Sequence, residues 1–216
     1  MTGISAGDTR TEIKAGEVKA PKTMCVYCSS SDAVDPTFFD SAAQLGALIA
    51  RRGWTLIYGG GRIGLMGALA RAVHQNGGQV IGVIPEALRA KGLAYPAADE
   101  LVVTRDLRER KAVMESRADA FVGLPGGFGT LEELLEIVTL KQLKFHTKPI
   151  ILVNTRGFYD PLRHMFERIY QERFAKPDYR QLYHITSDTK DIFSYLEAYQ
   201  PAQVEDKWFE DQGSLT

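Results

Sequence analysis

DAFVGLPGGFGTLEE, residues 119–133, decides the fold class: a short apolar run passes through a glycine-rich turn into a helical pattern. Residues 119–125 have the composition of a buried strand, and 130–145 follow the period of an amphipathic helix. The same grammar recurs on both sides. Strands are expected at 23–28 (TMCVYC), 54–59 (WTLIYG), 79–85 (QVIGVIP) and 148–154 (KPIILVN), with weaker ones at 100–103 and near 182–186. Helices are expected at about 37–52, 63–76, 106–117, 130–145, 159–174 and 188–199, and Gly53 and Gly77 sit where the first two should stop. Strands alternating with helices in this way predict an α/β, doubly wound, Rossmann-like open parallel sheet flanked by helices. In such sheets ligands bind beyond the carboxyl ends of the strands. Loops 28–36, 59–64, 85–98 and 124–130 should therefore share one rim.

The chain has 216 residues, a length that one hydrophobic core can serve. A single domain is expected over 23–200, between a flexible N-terminal tail, 1–22, and a C-terminal tail, 201–216. The tail at 1–22 is polar and lacks an apolar period. With 26 Lys and Arg against 27 Asp and Glu, the net charge of -1 exerts no general pull on a nucleic-acid backbone. No apolar run approaches the roughly 18 residues of a membrane span, so a cytoplasmic protein is expected. Cys25 and Cys28 form a C-x-x-C pattern inside an expected strand. There, positions three apart point to opposite faces, which argues against a redox pair or half a metal site.

Two glycine turns carry the expected chemistry. The first, Gly59, Gly60, Gly61, Arg62, Ile63, Gly64, Leu65, Met66, Gly67, contains G-x-G-x-x-G between a strand and a helix. Glycines there allow a tight turn and close approach of a phosphate to helix N-terminal N–H groups. A dinucleotide site would also want an acidic residue about 20 positions on, and Glu86 nearly qualifies. Against that reading, this turn follows the second strand and a second turn competes for the phosphate. The second turn is Gly126, Gly127, Phe128, Gly129, Thr130, continued by Leu131 and Glu132. Its bared amides, the Thr130 hydroxyl and the positive end of the helix dipole suit an anion such as a nucleotide 5′-phosphate. Thr130 and Glu133 also have the T-x-x-E spacing of a capping box, which is the competing structural reading. Upstream, LRERK at 107–111 begins a helix on the same rim, from which Arg110 and Lys111 can point toward the turn.

Taken together, VYCSSS (26–31), YGGGRIGLMG (58–67), GVIP (82–85), ERKAVM (109–114), PGGFGTLEE (125–133) and KPIILVN (148–154) resemble the LONELY GUY family. These are cytokinin riboside 5′-monophosphate phosphoribohydrolases, often labelled lysine decarboxylases. The resemblance implies cleavage between N9 of an adenine-type base and C1′ of ribose 5-phosphate, with AMP accepted by many members and no cofactor. It implies Arg110 and Glu133 as the catalytic pair. Substrate contacts are implied for Ser29, Ser30, the Gly59–Gly67 turn, Glu86, Lys111, the Gly126–Glu132 stretch and Thr139. A homodimer or a larger assembly of dimers, joined through the helices near 106–117 and 130–145, is implied as well. A carboxylate near C1′ fits an oxocarbenium-like transition state, whereas the role of Arg110, holding phosphate or ribose or orienting Glu133, stays open. Members often carry M-H-E-R-K and T-W-x-Q-L where this chain has LRERK and TLKQL (139–143), so Leu140 bears on base-side packing or on a subunit interface, and through it on base preference more than on catalysis. No lysine stands out as a Schiff-base residue for a decarboxylase, and His74, His146, His164 and His184 have no metal-ligand spacing. The alternative is a non-catalytic nucleotide or molybdenum-cofactor carrier of similar fold.

Overall fold

A computed structural model describes residues 22–204. Apart from Lys22 and residues 201–204, the expected tails lie outside the described residues. Strands β1 (Thr23–Tyr27), β2 (Thr55–Tyr58), β3 (Val80–Pro85), β4 (Glu100–Thr104), β5 (Ala120–Gly123), β6 (Ile150–Val153) and β7 (His184–Thr186) form one sheet in the order β4-β3-β2-β1-β5-β6-β7. Every pairing is parallel. The helices are α1 (Pro36–Arg51), α2 (Gly64–Gln75), α3 (Glu86–Arg89), α4 (Leu107–Arg117), α5 (Phe128–Gln142), α6 (Asp160–Gln171) and α7 (Asp191–Ala198). The doubly wound fold expected from the alternation is the fold observed. Both weaker strands form as well. Their faint signatures have a cause: β4 is an edge strand with mostly exposed residues, and β7 has three residues. Among the described residues, no helix is long and apolar enough to cross a membrane.

Strands buried on both faces explain why the sequence shows continuous apolar runs rather than alternation. On one face Met24, Val26, Leu56 and Tyr58 pack against Leu45 and Ile49 of α1, Leu69 and Val73 of α2 and Phe193 of α7. On the other, Cys25, Ile57 and Phe121 pack against Met114 of α4, Leu134 and Ile137 of α5 and Tyr159 beside α6. Cys25 and Cys28 belong to opposite layers, both buried and both free thiols.

Helix ends follow their local chemistry. Asp35 caps α1 by accepting from the Thr37 N–H at 2.9 Å, and Pro36 supplies a first helical residue that needs no N–H partner. At its other end Gly53, at φ +68°, turns the chain into β2 while its N–H and that of Trp54 bond the Ala50 and Ile49 carbonyls. Gly77 closes α2 in the same left-handed conformation. The beginning of α5 departs from expectation by two residues, because extended Gly127 serves as its N-cap and Phe128 is the first helical residue.

Helices α1 and α2 meet closely at Gly46, where a Cβ would lie 2.6 Å from the Leu69 carbonyl oxygen and 2.9 Å from Ala72 Cβ. Helix propensity alone favours alanine over glycine by about 1 kcal/mol. The backbone clash should outweigh it, since overpacking costs about 1–3 kcal/mol. Gly46→Ala is therefore expected to lower the urea midpoint with an unchanged m-value. An unchanged or raised midpoint would show that the crossing can relax.

Candidate active site

The sheet order places the reversal of winding between β1 and β5, and a crevice opens beyond their carboxyl ends. A cavity of about 470 Å³ lies there, a volume suited to a small ligand. All four loops expected on the rim contribute to its walls: Ser29 to Ser31 after β1, Gly59 and Gly61 after β2, Leu88 and Leu93 after β3, and Gly127 after β5.

The two glycine turns differ in what their helix starts already hold. At α2 the Gly64 N–H donates to Asp32 Oδ1 at 2.8 Å, and the Met66 N–H donates to the Ser29 carbonyl at 3.2 Å. A carboxylate of the protein thus occupies the positive end of that helix. Gly64, at φ +61°, is also needed for contact, because a Cβ would stand 2.4 Å from the Ser30 carbonyl carbon. At α5, by contrast, no acceptor among the described residues meets the N–H groups of Phe128, Gly129 and Thr130, all of which belong to cavity-lining residues. An anion in this cavity is best served by α5.

This difference redistributes the expected binding residues of the first turn. Gly59, Gly61 and Met66 line the cavity, whereas Gly60, Gly64 and Gly67 do not. Gly60 packs against Ile84 at φ +69°, and a Cβ on Gly67 would lie 2.1 Å from the Arg62 carbonyl oxygen. Gly59 has a specific task. A Cβ there would lie 2.1 Å from Arg110 Nη2, so its absence leaves room for the guanidinium.

Arg110, on the first turns of α4, lies across that glycine. Its Nε donates to the Val83 carbonyl at 3.1 Å and its Nη1 stands 3.1 Å from Glu133 Oε1. The two side chains are 12% and 9% exposed and both residues line the cavity. The capping-box reading of Thr130 and Glu133 fails on the position of the helix start. With Gly127 as N-cap, Thr130 is the third helical residue and Glu133 the sixth, so their spacing no longer straddles the end. For the same reason Glu132 and Glu133 stand in the second turn rather than the first. Gly126 makes room for the buried Thr130 side chain, since a Cβ would sit 2.1 Å from its Oγ1.

Several expected contacts are directed elsewhere. Lys111, one residue after Arg110, turns to α5 and pairs with Glu132 and with Glu136, the latter at 2.8 Å. Leu131, Glu132 and Thr139 line a separate shallow hollow along α5, and the Thr139 hydroxyl donates to the Leu135 carbonyl at 2.7 Å. Glu86 is exposed and held by Arg89 at 2.7 Å, outside the cavity wall. Phe128 does reach the cavity, although it is 93% exposed. The sequence reading missed Cys28, Ser31, Ile84, Leu88 and Leu93, which complete the walls together with Ile63 of the first glycine turn. Most lie in loops or strand ends already placed on the rim, so apolar residues there were the available signal.

Burial and the ion pair act on Glu133 in opposite directions. Burial is the larger influence and pushes its carboxyl up to about 7; Arg110 pulls it down, Glu132 raises it, Lys111 lowers it and Glu136 raises it. One guanidinium, itself shared with the Val83 carbonyl, replaces only part of the water that the carboxylate loses. The result is a carboxyl poised to change charge near neutrality.

These features define a Rossmann-like α/β protein with an anion-ready helix start beside a buried arginine–glutamate pair. A family model described as "Possible lysine decarboxylase" matches residues 66–196. Cytokinin riboside 5′-monophosphate phosphoribohydrolase LOG7 of Arabidopsis thaliana is 41% identical over 180 residues, 83% of this chain and 83% of that protein. The probable cytokinin riboside 5′-monophosphate phosphoribohydrolase LOGL2 of Oryza sativa subsp. japonica is 39% identical over 198 residues, 92% of this chain and 81% of its own length. The chain belongs to the LONELY GUY family, the one that these phosphoribohydrolases represent. Among solved structures, the molybdenum cofactor binding protein of Rippkaea orientalis shares the fold with a TM-score of 0.64 at 21% identity, covering 82% of this chain and 96% of that one. The molybdenum cofactor carrier protein of Chlamydomonas reinhardtii does so with a TM-score of 0.62 at 20% identity, covering 82% and 97%.

The raised Glu133 carboxyl makes a linkage prediction. The unfolded chain releases this proton near pH 4.5 and the folded chain near 7, so its stabilising contribution is complete below 4.5 and is lost as pH rises through 7. Thermal unfolding of Glu133→Gln compared with the parent protein should show a difference that moves in the variant's favour between pH 4.5 and 7 and then levels off. A difference independent of pH would mean that Glu133 ionises normally.

Proposed function

We propose that this protein hydrolyses the N-glycosidic bond of purine ribonucleoside 5′-monophosphates, releasing the free base and ribose 5-phosphate, with cytokinin nucleotides and AMP as its substrates. The observation that carries this reading is the Arg110–Glu133 pair, buried in the wall of a cavity that also receives the open amides of α5. The relatives' names support it, at about 40% identity over most of the chain.

The 5′-phosphate is held on the N–H groups of Phe128, Gly129 and Thr130, where the helix dipole favours its charge. Glu133 then faces C1′. As the C1′–N9 bond breaks, its electron pair leaves with N9 and positive charge develops on the ribose. An ionised Glu133 stabilises that charge and activates a water. The water's oxygen bonds to C1′, and its proton passes by way of the carboxylate to the departing base. Arg110 keeps the carboxylate in place through the ion pair, while its own position is fixed by the Val83 carbonyl and by the space over Gly59. No cofactor enters this chemistry. The retained pair favours hydrolysis over a carrier role, and the carriers' likeness, near 20% identity, speaks for fold alone.

The protein also pairs with a second copy through α4 and α5 in this reading. Leu107, Phe128, Leu135, Leu143 and Phe145 are 40% to 93% exposed along these helices and their ends, an apolar surface that a partner would cover. A cytoplasmic setting suits the two unlinked thiols.

Glu133→Gln is expected to retain AMP binding yet release no free base in chromatographed reaction mixtures; unchanged turnover would refute the mechanism. Arg110→Ala should lower kcat/KM by at least about a hundredfold, the scale of losing a positioned catalytic group. Activity like that of the parent protein would reduce Arg110 to a structural charge.

A further inference from the structure

The cavity has an apolar flank on the β3 side. Ile84 at the end of β3, Leu88 of α3 and Leu93 beyond it line that flank, with Ile63 and Met66 from the turn into α2 beside them. The α5 amides lie after β5, three strands away in the sheet order, or about 14 Å at the usual strand spacing. On the proposed function, on which this inference rests, the phosphate lies at the α5 end and the base at the β3 end.

Leu93 reaches the cavity from an irregular segment that is bound down onto the glycine turn. The Arg62 N–H donates to the Leu93 carbonyl at 2.9 Å, Arg62 Nε donates to the Gly92 carbonyl at 2.7 Å, and the Tyr95 N–H donates to the Gly60 carbonyl at 2.9 Å. From below, the Tyr58 hydroxyl donates to the Gly61 carbonyl at 3.1 Å. The far end of the segment is anchored by three side chains, none of which lines the cavity. Tyr95 stacks on His74 with ring centroids 5.6 Å apart and planes 27° from parallel, and its hydroxyl lies 3.0 Å from His74 Nδ1. His74 Nε2 lies 3.0 Å from Asp99 Oδ2, which also accepts the Val80 N–H at 2.7 Å where β3 begins. As a carboxylate, Asp99 only accepts. Nε2 therefore carries a proton toward Asp99, and Nδ1 shares a hydrogen bond with the tyrosine hydroxyl. The chain Asp99–His74–Tyr95 thus runs from the start of β3 and the last turn of α2 to the segment that presents Leu93.

We infer that Tyr95 is a positioning residue: through His74 and Asp99 it pins Leu93 against the Gly59–Gly61 turn and so sets the affinity for the base half of the substrate. It touches no reacting atom, so its effect should fall on KM rather than on kcat. The effect should also be confined to ligands that carry a base. Ribose 5-phosphate, which occupies only the phosphate and ribose positions, provides the control.

The test compares Tyr95→Phe and Tyr95→Ala in the full-length protein. Tyr95→Phe keeps the ring on His74 and loses one hydrogen bond, and should raise KM for AMP about fivefold. Tyr95→Ala loses both contacts and should raise it by more than about tenfold. In each variant kcat and the inhibition constant of ribose 5-phosphate should stay within about twofold of the parent protein. Hydrogen exchange at the Arg62 and Tyr95 amides, which bond the Leu93 and Gly60 carbonyls and so hold the segment to the glycine turn, should accelerate in the same order. An unchanged KM in Tyr95→Ala overturns the inference, and so does a parallel weakening of AMP and ribose 5-phosphate, which marks a general structural defect. If the parent protein releases no base from AMP or a cytokinin nucleotide, the proposed function fails instead. The role of Tyr95 is then judged on the exchange of the two amides and on AMP affinity by calorimetry, and no change of either in Tyr95→Ala overturns it.

Discussion

The ion pair between Arg110 and Glu133 is the constraint around which the carboxyl edge of this sheet is arranged. Burying two opposite charges costs more in lost hydration than a single contact returns, unless other groups take up the remaining hydrogen-bonding capacity. Here the Val83 carbonyl takes the arginine Nε, and a glycine at 59 gives the guanidinium a place to lie. The pair consequently ties together the ends of β2 and β3 and the second turn of α5. A side chain at position 59, or a shift of α5 by one residue, would separate the charges. The arrangement leaves the carboxyl inadequately solvated, which is unfavourable for stability and useful for chemistry near neutrality.

Around that pair, the structure assigns different duties to two glycine turns that look alike on paper. The start of α2 is neutralised internally by Asp32 and serves to clamp the Ser29–Asp32 loop. The start of α5 keeps its amides open, and its N-cap is a glycine with no side chain to occupy them. One helix dipole stabilises the protein's own loop, and the other remains available to a ligand's anion. With the apolar flank on the β3 side, this gives the cavity an anion end and an apolar end three strand spacings apart.

The fold was legible because a parallel sheet buried on both faces writes its strands as apolar runs, and glycines at 53 and 77 mark helix ends through a conformation that other residues avoid. The site was less legible. Arg110 and Lys111 are adjacent cations, and nothing local distinguishes them. Only the roughly 100° step between successive helix residues sends one into the cavity and the other to Glu132 and Glu136. Gly60 and Gly67 fit a phosphate-binding pattern, yet they serve packing against Ile84 and the Arg62 carbonyl, contacts that depend on tertiary structure. The T-x-x-E at Thr130 and Glu133 read as a cap because an extended Gly127 gives no side-chain signal that the helix begins earlier. Leu88 and Leu93 lay in a loop assigned to the rim, and only the closure of that loop over the turn brings them to the cavity.

The central claim is that burial beside Arg110 holds the Glu133 carboxyl near neutrality and that its ionised form carries the reaction. The most direct test is the pH dependence of kcat/KM for AMP hydrolysis, corrected for ionisation of the substrate phosphate, because this quantity reports groups of the free enzyme. Activity should rise from acid pH with a midpoint near the carboxyl's value of about 7 and reach a plateau above it. A midpoint in the ordinary carboxylate range near 4.5, or activity that falls as pH rises through neutrality, would contradict the account.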